Sequence, residues 1–115
     1  MYLYLFPSHD REGGVTTEGE YKQDNKIGDW FYYFYNQKQI QVHERYYDNG
    51  KVNTRKEFSQ QSKLIRDFSY DDKGRLHGQY RDSHNNGELR ARGTMKNGKM
   101  NGLWVFYYID GSIGS

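Results

Sequence analysis

The sequence predicts an all-β fold, an elongated antiparallel meander of stacked β-hairpin repeats, on three observations. First, the chain repeats itself: EGEYKQDNKIGDWFYYFYNQKQI (Glu18 to Ile40) returns as RGTMKNGKMNGLWVFYYIDGSI (Arg92 to Ile113). Aligned on a shared Gly-x-Trp, the copies match at Gly19 and Gly93, Lys22 and Lys96, Gly28 and Gly102, Trp30 and Trp104, and Tyr33 and Tyr107, each pair 74 positions apart. That offset is about three units of roughly 24 to 25 residues, the signature of a repeat architecture. Second, turn centres at Lys38, Gly50, Ser62, Gly74, Gly87, Gly98 and Gly111 recur at intervals of 11 to 13 residues. Several carry Asn-Gly or Asp-Gly, the dipeptides that best tolerate the positive φ of tight hairpins. Third, the runs between them are short and rich in aromatic and β-branched residues, as half-buried strands require.

Along the chain, Met1 to Phe6 (MYLYLF) is apolar and ends at Pro7; it is too short for a signal sequence and lacks a basic start. It reads as an extra strand covering the first repeat. His9 to Thr17 reads as a polar, glycine-bearing connection, so residues 1–17 are expected to precede a repeat array spanning 18–115 within a single domain. In Gly28 to Tyr35, alternation puts Trp30, Tyr32 and Phe34 on one strand face and Phe31, Tyr33 and Tyr35 on the other. Trp104 to Ile109 repeats that pattern, which makes Trp30 and Trp104 the expected buried anchors of the two ends. The intervening strands, around Arg45 to Tyr47, Glu57 to Ser59 and Asp67 to Tyr70, carry more charge and should be half exposed. The apolar strand from Trp104 to Ile109 is expected to need cover, because an unpaired edge is a template for another chain.

Leu, Ile, Val and Phe make up only about 18% of the residues, a share typical of disordered chains. The net charge is only +2, however, and 12 Tyr and 2 Trp lie outside that count. Aromatic side chains bury large areas, so a thin, Tyr-lined core is expected. No run of about 18 apolar residues occurs, so no membrane helix is predicted. Absence of cysteine excludes disulfides and thiolate metal sites and suits a reducing compartment, so a cytoplasmic location is expected.

The segment GKMNGLWVFYYIDGSI (Gly98 to Ile113), with Gly-Lys-x-x-Gly-x-Trp and then Tyr-Tyr-x-x-Gly, resembles a unit of the MORN-repeat variant found in many bacterial proteins. YYDNGKV (Tyr46 to Val52), KGRLHGQY (Lys73 to Tyr80) and DWFYYFYN (Asp29 to Asn36) resemble it more loosely. The Gly-x-Trp is missing at Val52 to Arg55, and Tyr replaces Trp after Gly78, which predicts a bent or less tightly packed middle. The resemblance implies a β-hairpin array without catalytic activity. Some bacterial members are antitoxin or immunity components; related eukaryotic repeats are linked to phospholipid contact and to scaffolding.

A search for chemistry returns little. His9, His43, His77 and His84 lack the spacing of a metal site, and each reads as structural. There is no nucleophile elbow and no phosphate-cradling loop. Asp71-Asp72 reads as a turn, because Lys73 and Arg75 follow where a calcium loop needs oxygen ligands. Glu18 and Glu20 share a strand face, but nothing predicts the apolar pocket a catalytic pair needs. No catalytic, metal or cofactor residue is therefore expected.

Charge offers the one hint of a partner: residues 73–99 carry 7 cations against Asp82 and Glu88. Such a segment is either an ordinary solvated face or a patch that docks an acidic partner. The candidate contact residues are Arg75, Arg81, Arg90, Arg92, Lys96 and Lys99, with Tyr107 and Ile109 at the C-terminal edge; Arg90 and Arg92 share a face by period two. The sequence thus predicts a protein-binding module, with an antitoxin or immunity role implied by the resemblance, and self-association through the last strand when no partner is present. A scaffold or peripheral membrane module using the basic segment is the alternative, and a small hydrolase or metal enzyme a remoter one. Nucleic-acid binding ranks low, because the aromatics that would stack on bases are needed for the core.

Overall fold

A computed structural model describes residues 3–5, 8–9, 15–34, 38–108 and 113–114. They form one antiparallel sheet of ten strands: β1 (Leu3–Leu5), β2 (Ser8–His9), β3 (Val15–Lys22), β4 (Asn25–Tyr33), β5 (Ile40–Tyr46), β6 (Val52–Phe58), β7 (Leu64–Ser69), β8 (Gly78–Ser83), β9 (Leu89–Lys96) and β10 (Lys99–Phe106). From β3 to β10 every strand pairs with the next, the predicted meander, while β1 and β2 both pair with β3. The molecule measures 48 × 34 × 14 Å. Two packed sheets would already put about 10 Å between their backbones, so 14 Å leaves room for one sheet and its side chains.

Two local expectations change. The polar connection expected over His9 to Thr17 instead contributes to two strands, because the β-branched run Val15-Thr16-Thr17 extends β3 toward its N-terminus. A tight turn missing from the predicted series joins β3 to β4 at Gln23-Asp24, both with positive φ (50° and 69°). Asn97 and Gly98 make the equivalent turn from β9 to β10. The longer turns are tied by short polar side chains: Asn49, Asp71 and Asn86 each accept a bond at 2.9 Å from the backbone N–H two residues on. Asp71 also accepts from Arg75 N–H, so Asp71-Asp72 belongs to a turn. The expected turn at Asp110-Gly111, along with Met1, Phe6, Pro7, Tyr35 and Ile109, lies outside the described residues.

Four hairpins, β3–β4, β5–β6, β7–β8 and β9–β10, superpose in register, so the offset of 74 spans three steps. One column of equivalent positions runs Gly19, Glu44, Phe68, Gly93, and the next runs Tyr21, Tyr46, Tyr70, Met95. In the first and last hairpins the Gly-x-Trp forms a bulge, with Gly19 opposite residues 28–30 and Gly93 opposite residues 102–104. Gly28 (φ 63°) and Gly102 (φ 70°) supply the left-handed kink that re-aims the following strand. The indole is thereby laid flat on the backbone of the facing glycine. A Cβ on Gly19 would stand 2.1 Å from Trp30, and one on Gly93 2.2 Å from Trp104, so only glycine fits. Both indole N–H groups donate one residue further on, Trp30 to Glu20 O at 3.1 Å and Trp104 to Thr94 O at 3.0 Å.

In the third hairpin, Phe68 replaces the glycine and Tyr80 the tryptophan, a joint exchange that moves ring volume from one strand to the other. The two rings stack at 5.3 Å. The second hairpin has no ring at these positions: Glu44 faces Arg55 in direct register, and the one-residue register shift falls just beyond them, between Arg45 and Tyr46. Among residues 16–34, 38–108 and 113–114, buried apolar residues are few, namely Ile27, Trp30, Val42, Phe68, Ala91 and Met95. Edge-to-face contacts of Trp30 with Tyr21 (5.0 Å) and Tyr46 (6.5 Å) join them at the first end. Trp30 and Phe68 are the aromatic members of this set and the described tyrosines from Tyr21 to Tyr107 are half-buried, so the core on the face that carries Trp30 is thin and only partly aromatic.

Candidate functional site

The middle of that face is filled by charge. Glu44, Arg55, Glu57, Arg66, Asp82 and Arg90 alternate in sign across β5 to β9. Arg55 bridges Glu44 (2.7 Å) and Glu57 (2.8 Å), Arg66 joins Glu57 to Asp82, and Arg90 Nε donates to Asp82 at 3.0 Å. Glu44 and Asp82 are buried, and Tyr46 OH donates to Glu44 at 2.9 Å. Burial raises the Tyr46 phenol, and its bond to Glu44 raises it further. At Glu57, burial pushes the carboxyl up, but hydrogen bonds from Arg55 and Arg66 outweigh it and hold the group below its ordinary value. Sequence reading missed this chain of ion pairs, since its members come from five strands; the signal was available in the repeat itself, where Glu44 and Phe68 stand at glycine positions.

The basic segment does not form one patch. Arg90 is drawn into the network because it is the extra residue of a bulge: Asp82 pairs with Ala91 and Ser83 with Leu89. The bulge breaks the period-two alternation, so Arg90 and Arg92 do not share a face as expected. Arg75 is paired with Asp71 at 2.9 Å. Arg81 and Arg92 are exposed and face each other in direct register across β8 and β9. Arg92 Nε donates to Tyr107 OH at 3.0 Å. Together with Gln79, Thr94, Leu103 and Val105 they line an open depression of about 390 Å³. Lys96 and Lys99 are exposed and flank the last tight turn. Ile109 lies outside the described residues.

Exposed apolar surface is concentrated at the same end. Among residues 16–34, 38–108 and 113–114, every exposed large apolar side chain falls between positions 100 and 113: Met100, Leu103 (85% exposed), Phe106, Tyr108 and Ile113. Trp104 corrects the expectation of two equally buried anchors, since it is only half buried where Trp30 is 1% exposed. The cause is the missing neighbour. Trp30 lies between β3 and β5, and β5 lays Tyr46 against its ring. On the outer side of β10 the described residues supply only Ile113, bridged to Tyr107, and Gly114, whose N–H bonds Phe106 O. From Lys99 to Val105 that edge pairs with no described residue.

The first end carries its own polar cluster on the opposite face. Tyr33 OH donates to Glu18, and burial together with that bond pushes the phenol up to about 12. His43 stacks on Phe31 (4.5 Å), with its Nε2 2.9 Å from Asp29. Among the described residues no group of three His, Asp or Glu is placed to hold a metal ion, and no helix is long and apolar enough to cross a membrane. No family model matches the chain, and neither a curated protein nor a solved structure matches it.

Proposed function

We propose that the chain is a non-enzymatic, MORN-like protein-binding module that acts in the cytoplasm and engages its partner through the β9–β10 end. The observation that carries this reading is that, among residues 16–34, 38–108 and 113–114, the exposed large apolar side chains all fall at positions 100–113. Clustered exposed apolar residues mark interaction sites, whereas scattered ones do not. Arg81 and Arg92 line one depression with Leu103, and Lys96 and Lys99 flank the turn beside Met100. A polar rim around an apolar centre is the usual anatomy of a protein interface, and a rim of one sign steers an oppositely charged partner.

Within this reading, the resemblance to bacterial antitoxin and immunity components supplies the partner class, a toxin encoded beside the chain. Co-expression with the product of the neighbouring reading frame is the test. A stable complex, weakened when Leu103→Asp is introduced, is the expected result. Failure to form a complex, with sedimentation of the chain on anionic vesicles instead, would favour the peripheral membrane reading and defeat this one.

A further inference from the structure

We propose that the depression on the β8–β10 face binds a carboxylate that the partner presents on an Asp or Glu side chain, held between the guanidinium groups of Arg81 and Arg92 and beside the Tyr107 hydroxyl. This rests on the protein-binding reading and names the group that the partner contributes.

The Gly-x-Trp bulge builds the site. Between β9 and β10, Thr94 pairs with Asn101 and Arg92 with Val105, so Gly102 to Trp104 stand opposite Gly93 alone. The indole turns to one face of the sheet, onto Gly93. Leu103 is left to the other face, where it walls the depression together with Arg81, Arg92, Gln79 and Thr94. All of these belong to β8, β9 and β10, so the depression does not depend on what lies beyond β10.

The first hairpin forms the same depression with the opposite charge. An open hollow of about 400 Å³ is lined there by Glu18, Gly19, Glu20, Gly28, Asp29 and Phe31, each 74 positions before a residue of the last bulge. Arg92 stands where Glu18 does, Thr94 where Glu20 does, Leu103 where Asp29 does and Val105 where Phe31 does. Three carboxylates have been replaced by a guanidinium, a hydroxyl and an apolar wall, and no carboxylate lines the last depression.

The two equivalent tyrosines select the ligand. Tyr33 OH donates to the Glu18 carboxylate. Tyr107 OH instead accepts from Arg92 Nε at 3.0 Å, which leaves its own proton without a described acceptor. A carboxylate brought to Tyr107 therefore meets the phenol donor that Glu18 meets at the other end, with the remaining N–H groups of Arg92 beside it. Arg81 faces Arg92 in direct register, and an anion between them offsets the repulsion of two like charges. Asp67, opposite Arg81 on β7, is the one carboxylate in register with either arginine, and it makes no described ion pair with Arg81. Planar guanidinium groups match a carboxylate, while Leu89, Leu103 and Val105 offer contact to the methylenes of the acidic side chain.

The test titrates the full chain with acetyl-Gly-Leu-Glu-Leu-Gly-amide and with its Gln counterpart, following the amide NMR signals of Arg81, Arg92 and Leu103. Expected are saturable shifts at these residues, with the Gln peptide bound about tenfold more weakly, as for loss of a charge-assisted hydrogen bond. Arg81→Gln and Arg92→Gln should each weaken binding about tenfold and Tyr107→Phe about threefold. Asp67→Asn, which removes the competing carboxylate, should tighten it. Equal binding of the two peptides would overturn the proposal in favour of apolar contact alone. Arg45→Gln, at the other end of the sheet, weakening binding as much as Arg92→Gln would reduce it to net charge. Inorganic phosphate displacing the peptide at equal concentration would overturn it in favour of a phosphate site. A complex with the neighbouring gene product that keeps full affinity in the Arg81→Gln, Arg92→Gln double variant would sink this inference alone, whereas failure of that complex sinks the protein-binding reading.

Discussion

Trp30 and Trp104 sit on the same kind of bulge, over equivalent glycines, with the same hydrogen bond, and differ in their surroundings: Trp30 has Tyr21 and Tyr46 edge-on and Lys26 over its ring, where Trp104 meets Tyr80 and Phe106. β5 lays Tyr46 against Trp30, while the outer edge of β10 pairs with no described strand between Lys99 and Val105. The local motif therefore fixes the pose of the indole and its neighbour fixes the burial. In a solenoid each unit borrows part of its core from the next, so equal sequences at the two ends need not be equal in energy.

The largest effect should separate these two residues. Trp30→Ala is expected to cost about 3 to 5 kcal/mol, the range for truncating a large buried ring. Trp104→Ala should cost less, about 2 kcal/mol, since that ring is only half-buried. Urea unfolding of the two variants decides it; equal losses would mean that the ends are equivalent and that β5 contributes nothing to the first. Gly19→Ala should behave like Trp30→Ala, because the added methyl displaces the ring.

The strand that covers Trp30 is itself held by charge, since Glu44 is its residue opposite Trp30 and Arg55 is the partner that neutralises Glu44. Arg55→Met should destabilise the protein by about 3 kcal/mol, because a carboxylate is left buried and unpaired. Replacing Glu44 and Arg55 together by Leu and Met should recover most of that loss. A single-Trp variant reporting on Trp30 should sense Arg55→Met, and one reporting on Trp104 should not at low denaturant. Matching responses at both ends would show that the middle does not act through β5.

Acid provides a graded form of the same test. The folded value of Glu57 lies below its ordinary 4.5. Its contribution is therefore complete above the unfolded value and is lost as pH falls through the folded one. Thermal unfolding between about pH 6 and pH 3 should show stability declining below about pH 4.5, and Glu57→Gln should flatten the decline by about 1 kcal/mol. An unchanged slope in Glu57→Gln would remove this carboxylate from the account.

The repeat, the turns and the aromatic strands were legible in the sequence because each is a local pattern: Gly-x-Trp at 30 and 104, Asn-Gly at 49 and 97, alternation in residues 29–34. Less legible was what crosses strands. Phe68 and Tyr80 exchange volume with a glycine and a tryptophan that stand in other hairpins, and period-two alternation could not foresee the bulge that turns Arg90 to Asp82. The candidate edge was half legible. Its apolar composition announced an uncovered strand, but Arg75 and Arg90 looked like docking residues until their carboxylate partners, Asp71 and Asp82, came into view.

The smallest effect distinguishes cations that hold the fold from cations that are free to meet a partner. Arg81 faces Arg92 on β9 and Asp67 on β7 in direct register, a like and an opposite charge whose effects offset, and replacing it breaks no described ion pair. Arg81→Gln should leave stability within about 0.5 kcal/mol of the starting protein, as for other surface changes. Arg90→Gln, only nine positions along the chain, should cost more, because it strips Asp82 of its closest partner. The pair of melting curves is the measurement. Equal midpoints for the two variants would place Arg90 outside the network, whereas a drop confined to Arg90→Gln would leave Arg81 as surface charge available for binding.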